Sequence, residues 1–168
     1  MAWAETLVQA YKDSGVSFIT YVPDNSLAIP LRIMEKDPFF KVVPVSREEE
    51  GIGVSSGAYA AGKKAGIFMQ SSGLGNCINA LCSLNLAARI PVPMLINLRG
   101  HVGETSTAQF PMGRAARPIL DVLGISHFEL SDEARLYEIA TGALKACFAS
   151  HQPVGLFMTP LLHGGKGA

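Results

Sequence analysis

Three consecutive carboxylates, Glu48, Glu49 and Glu50, stand where an apolar run ends and a run rich in glycine, alanine and serine begins. Crowded carboxylates resist ionising together, and a carboxyl kept neutral can give a hydrogen bond or a proton to a ligand. The same residues also suit plain helix capping. Ser46-x-x-Glu49 reads as a capping box, and acids at a helix start are favoured by its dipole. Three adjacent acids exceed what one cap needs. The run behind them carries Gly51, Gly53, Ser55, Ser56, Gly57, Ala58, Ala60 and Ala61, small enough for another backbone or a ligand to approach closely.

A second chemical feature follows the apolar run Ala65 to Met69, which delivers Gln70, Ser71 and Ser72 to a strand end. The sequence SSGLGN (71–76) opens the next helix, and its amides can hold an anion or the edge of a heterocycle. It is not a Walker loop, because no Gly-Lys-Ser/Thr follows. Nor is it a dinucleotide fingerprint, since Ile78 occupies the third glycine position. Two further strand ends offer polar groups: Asp24 and Asn25, which also suit a turn and cap, and Arg99 with His101, in a loop where a histidine is commonly just solvated. Taken together, Asp24, Asn25, Glu49, Gln70, Ser71, Arg99 and His101 converge on one edge of a sheet, where open α/β folds bind ligands.

The elements that must position them alternate. A helix over 2–14 ends at Gly15, strands are expected at 16–22, 41–45, 65–69, 92–98, 127–130 and 154–158, and helices at 27–36, after 48, at 74–88, 115–123 and 131–150. Ser131 is read as the cap of the last helix, with Asp132 and Glu133 in its first turn. The segment Arg99–Gly113 is read as a long functional or mobile loop, and HGGKGA (163–168) as a frayed tail. The alternation predicts an α/β fold, an open parallel sheet with helices on both faces, in one domain spanning 1–168.

The 168 residues are 48% hydrophobic and 17% charged, with a formal net charge of zero, which argues against disorder and gives no electrostatic footprint for nucleic acid or an anionic membrane. A mean hydropathy of +0.25 suggests apolar surface covered by a partner chain. Cys77, Cys82 and Cys147 lack metal or disulfide spacing and read as small buried hydrophobes in a reducing compartment. No run approaches the ~20 apolar residues of a membrane span, and no secretory signal pattern is present, so a soluble cytoplasmic protein is expected.

The residues YVPDNSL (21–27), REEEGIG (47–53), SGAYAAGKKAGIFMQSSGLGNCINALCSLN (56–85), LRGHVGE (98–104) and AQFPMG (108–113) together resemble the pyrimidine-binding domain of thiamine-diphosphate-dependent decarboxylases, in particular those acting on sulfopyruvate and phosphonopyruvate. The resemblance covers most of the chain. It implies a glutamate that hydrogen-bonds the cofactor's aminopyrimidine and promotes loss of the thiazolium C2 proton. Counting ten positions back from Tyr59, as the family pattern does, picks Glu49; matching the Glu-Gly pair picks Glu50, and Glu49 is favoured because helix register fixes where a side chain points. By the same carry-over Gly73, Leu74, Gly75 and Asn76 would approach the cofactor, and Asp24, Asn25, Gln70, Ser71 and Arg99 the substrate. His101 would shuttle a proton or bind the substrate's anionic head. The family's Gly-Asp-Gly motif for Mg2+ and diphosphate does not occur in the sequence. The resemblance therefore implies a separate β subunit holding metal and diphosphate, thiamine diphosphate bound between the two, and a small anionic 2-keto acid as substrate. Sulfopyruvate is favoured over phosphonopyruvate because the chain is split. The residues alone also suit a non-catalytic α/β module that binds a metabolite and regulates a partner.

Overall fold

The computed structural model describes residues 2–164. The elements run α1 (Ala2–Asp13), β1 (Phe18–Tyr21), α2 (Ala28–Met34), β2 (Lys41–Pro44), α3 (Glu48–Ala60), β3 (Ala65–Gln70), α4 (Leu74–Ala80), β4 (Pro93–Asn97), α5 (Phe110–Val122), β5 (His127–Leu130), α6 (Glu133–Ser150), β6 (Val154–Met158) and α7 (Pro160–His163). All six strands are parallel in the order β2-β1-β3-β4-β6-β5. The expected open parallel sheet is what forms. Central strands β4 and β6 are buried at every residue, as a sheet covered on both faces requires.

Two apolar clusters sandwich the sheet. On one face Leu7, Tyr11, Leu31, Met34, Leu136 and Leu144 bring α1, α2 and α6 against it. On the other, Ile52, Leu74, Cys77, Leu81, Ala116 and Leu120 do the same for α3, α4 and α5. The chain leaves β1 toward β2 on one side and returns to β3 on the other. The carboxyl ends of β1 and β3 therefore flank a topological switch point, the crevice where such sheets bind ligands. Register places Tyr21 beside Phe68, and Gln70 beside Asn97, along that edge.

The small residues of α3 divide by face. Gly51 sits so close to the sheet that a Cβ there would lie 2.4 Å from Ile67 Cδ1, and Ser55 and Thr20 hydrogen-bond each other and the Gly66 carbonyl. Gly53, Val54 and Gly57 face outward. Close approach to the sheet, rather than to a ligand, accounts for Gly51 and Ser55.

Several local expectations change. The cap of α3 is Arg47, in extended conformation, and it is Glu50 that accepts the Ser46 amide at 2.8 Å. The Ser46–Glu49 capping box does not form, because the helix starts one residue later than that pattern requires. SSGLGN is no open glycine loop: Ser71–Gly73 make a 3-10 turn that runs straight into α4. The helical run then passes through a π-helical segment, Leu81–Leu86, which turns buried Asn85 toward Ser56 Oγ and the Ile90 carbonyl. Helix α5 starts at Phe110, not at 115, since Pro111 suits the first turn of a helix. The loop read as Arg99–Gly113 is shortened to 99–106, followed by the turn Thr107–Gln109. Asp132 caps α6 by accepting the Ala134 amide at 2.9 Å, displacing Ser131 from that role. Part of the supposed tail is α7; its last residues, 165–168, lie outside the described residues.

Cys77 and Cys147 are buried and Cys82 is exposed, which corrects the expectation of three buried thiols. Burial first, then the nearby Glu48 and Glu49 carboxylates, pushes the Cys77 thiol up to about 12. No helix among the described residues is long and apolar enough to cross a membrane.

Candidate functional site

The rotation of α3 separates the three glutamates. Glu49 points outward, its side chain 50% exposed and 3.3 Å from the Arg47 guanidinium. Glu50 is exposed and engaged at Ser46. Glu48 turns inward, 9% exposed, and its Oε2 accepts from Asn76 Nδ2 at 3.0 Å. Its carboxyl lies against Gly73, where a Cβ would come within 2.2 Å of Oε1. Gly73 is thus required to be small rather than conformationally free, since its backbone is helical. Glu48 Oε1 makes no hydrogen bond among the described residues.

The expected binding residues fall into separate groups. Gly75 and Asn76 are exposed on the first turn of α4, while the side chain of Leu74 is wholly within the core, so only its backbone can serve a ligand. Asp24 Oδ1 accepts from the Ser26 amide at 2.9 Å and from Asn97 Nδ2 at 2.8 Å, which ties the ends of β1 and β4 together. Asn25 is exposed. His101 is half-buried in the loop after β4, its Nδ1 without a hydrogen-bond partner among the described residues.

Arg99 is 5% exposed, and each of its three guanidinium nitrogens donates a hydrogen bond. Its Nε and Nη2 donate to the two oxygens of Glu104 at 2.7 and 2.8 Å, and Nη1 donates to Gln70 Oε1 at 3.0 Å. Glu104 also receives the amides of Gly100, Thr105 and Ser106. The backbone amide of Arg99 donates to buried Ser71 Oγ at 3.2 Å. One carboxylate therefore closes the loop 99–106 and locks it to the end of β3. Gln70 Nε2 in turn donates to Ser72 Oγ and to Gln109 Oε1.

Hydrogen bonds from Arg99, and after them the backbone amides, hold the Glu104 carboxyl down from its ordinary 4.5 to about 2. A depressed carboxylate contributes stability that is fully present above about 4.5 and is lost as pH falls through about 2. The carboxyl carbon-13 shift of Glu104 is expected to titrate with a midpoint near 2, and at higher pH once Arg99→Met removes the largest cause of the depression. A wild-type midpoint near 4.5 would mean that this closure is absent in solution.

Glu48, Asn97, Glu104 and Gln109 were not singled out from the sequence. Asn97 carried a signal, as a polar residue ending an otherwise apolar strand. Glu48 reads as one of three acids at a helix start, but the two family registers pick Glu49 and Glu50. Glu104 and Gln109 sat in a stretch read as loop.

A buried carboxyl and an amide thus stand over a glycine that cannot carry a side chain, in a doubly wound α/β domain. Residues 1–112 match the family described as thiamine pyrophosphate enzyme, N-terminal TPP binding domain, and the chain belongs to that family. It is similar to the sulfopyruvate decarboxylase subunit alpha of Methanococcus maripaludis, with 37% identity over 94% of this chain and 95% of that one. The corresponding subunit of Methanothermobacter thermautotrophicus is 46% identical over 73% of this chain and 74% of its own. A phosphonopyruvate decarboxylase of Streptomyces viridochromogenes is 31% identical over 94% of this chain but only 40% of its own length. Among solved structures, a 2-oxoglutarate:ferredoxin oxidoreductase from Magnetococcus marinus shares the fold, with a TM-score of 0.76 at 17% identity over 97% of this chain and 29% of that one.

Proposed function

We propose that this chain is the alpha subunit of a thiamine-diphosphate-dependent 2-keto acid decarboxylase that converts sulfopyruvate to sulfoacetaldehyde and carbon dioxide in the cytoplasm. The observation that carries the reading is the end-to-end match to a sulfopyruvate decarboxylase subunit alpha. The whole chain acts as one pyrimidine-binding domain. A separate β subunit supplies the diphosphate half of the site together with Mg2+.

The residues at the crevice fit the cofactor. Glu48 has one oxygen steadied by Asn76 and the other unengaged beside Gly73, which suits a carboxyl sharing a proton with a ring nitrogen. Thiamine diphosphate, when bound, supplies the electron sink left after carbon dioxide departs. Glu48 is preferred to Glu49 for that nitrogen because its carboxyl is buried against Gly73 and steadied by Asn76, whereas Glu49 is half exposed and paired with Arg47. The amides opening α4, from Gly73 to Asn76, line the same place. Asp24, Asn25, Gln70 and Ser71 border the substrate side, and His101 stands as the proton carrier of the loop. Arg99 serves the site through Gln70 rather than by touching substrate.

Titration calorimetry with thiamine diphosphate and Mg2+ tests the reading. Binding is expected only when this chain is mixed with a β subunit bearing Gly-Asp-Gly, and the mixture is expected to decarboxylate sulfopyruvate. Tight binding to the lone chain would refute the shared site. Absence of binding in the mixture would refute the enzyme.

A further inference from the structure

Four side chains form an ordered series: Glu104, Arg99, Gln70, Gln109. A carboxylate only accepts and a guanidinium only donates, so Arg99 must face the oxygen of Gln70, not its nitrogen. That leaves the Gln70 NH2 pointing away, and its two hydrogens go to Ser72 Oγ at 2.6 Å and Gln109 Oε1 at 3.2 Å. Gln109 must then present its own oxygen to Gln70 and turn its NH2 away from it. That Nε2 makes no hydrogen bond among the described residues. The electrostatics of the buried pair thus set the orientation of two amides in turn, ending in an unengaged pair of N–H donors.

Gln109 stands at the start of α5, joined to Gln70 at the carboxyl end of β3, the strand that flanks the switch point. We propose that Gln109 is a substrate-contacting residue, its NH2 donating to an acceptor oxygen of the anionic 2-keto acid, with Glu104 and Arg99 as positioning residues that fix the amide's direction. The proposal rests on the function proposed above. It accounts for Arg99 being buried and neutralised at a site for an anion: the cation sets the direction of neutral donors, which bind an oxyanion without a second charge to desolvate.

The test is steady-state decarboxylation of sulfopyruvate by the complex of this chain with its β subunit. Gln109→Met, of similar shape but without donors, is expected to raise KM about tenfold, with kcat and thiamine diphosphate affinity little changed. Gln109→Glu, which presents acceptors instead, is expected to raise it further. An unchanged KM in Gln109→Met, with wild-type turnover intact, overturns the proposal and leaves the enzyme reading standing. A wild-type complex that neither binds thiamine diphosphate nor turns over sulfopyruvate removes the enzyme reading and the proposal with it. If a variant lacks the wild-type melting transition, the side-chain amide resonance of Gln109 in the wild-type complex decides: a shift on adding sulfopyruvate supports the contact, and no shift overturns it.

Discussion

Glu48→Gln is expected to lower kcat of the assembled enzyme by about a hundredfold to ten-thousandfold, the range for losing a positioned proton-transfer group. The substitution keeps the shape and an oxygen able to accept from Asn76, so the turn around Gly73 should stay closed. What it removes is the capacity to share a proton through the unengaged oxygen. Glu49→Gln is expected to leave kcat within about twofold, since it loses only a half-exposed ion pair with Arg47. The measurement is initial rates of sulfopyruvate decarboxylation at saturating cofactor, with thermal melting of each variant as a control. Loss of rate in Glu49→Gln while Glu48→Gln stays active would restore the register counted from Tyr59.

The second large effect is on stability. In Gly113→Ala a Cβ would lie 1.9 Å from the Arg99 carbonyl oxygen and 2.7 Å from its carbon, so backbone has to move. The affected peptide begins the loop that Glu104 closes, and Gly100, with φ +68°, packs against Phe110 in the same place. Overpacking of this kind costs about 3 kcal/mol when no flexible side chain can give way. Urea unfolding should show the loss as a lower midpoint with a similar slope. Gly57→Ala is the matched control. Nothing lies within 4 Å of its added methyl, and the residue sits on the exposed face of helix α3. A gain of about 0.5–1 kcal/mol is expected there. Equal midpoints for Gly113→Ala and wild type would show that α5 does not pack on Arg99 in solution.

Strand and helix order were legible because each depends on short-range pattern. The apolar runs at Ala65–Met69 and Val154–Met158 can only be buried parallel strands once helices lie between them, and their ends necessarily carry Gln70 and Thr159 to one edge. The glycine at 73 and the asparagine at 76 could likewise be assigned to a ligand edge from type and spacing. Cap residues were less secure, because Ser46, Ser131 and Asp132 are all competent caps and neighbours compete for one position.

The choice among Glu48, Glu49 and Glu50 was of another kind. One residue along a helix turns a side chain by ~100°, and nothing local sets that rotation. It is set by Gly51 seated on Ile67 and Thr20, and by Ile52 in the core, contacts made with strands far away in sequence. The same holds for Arg99. Its type suggested an anion site, and only packing shows it buried in a pair with Glu104 and hydrogen-bonded to Gln70 across strands. Residue type and spacing were enough to name the parallel sheet and the strand edge to which its polar residues are carried. Which carboxylate is buried beside Asn76, and which cation is paired with Glu104, depend on helix rotation and loop closure, which arise only when distant segments pack together.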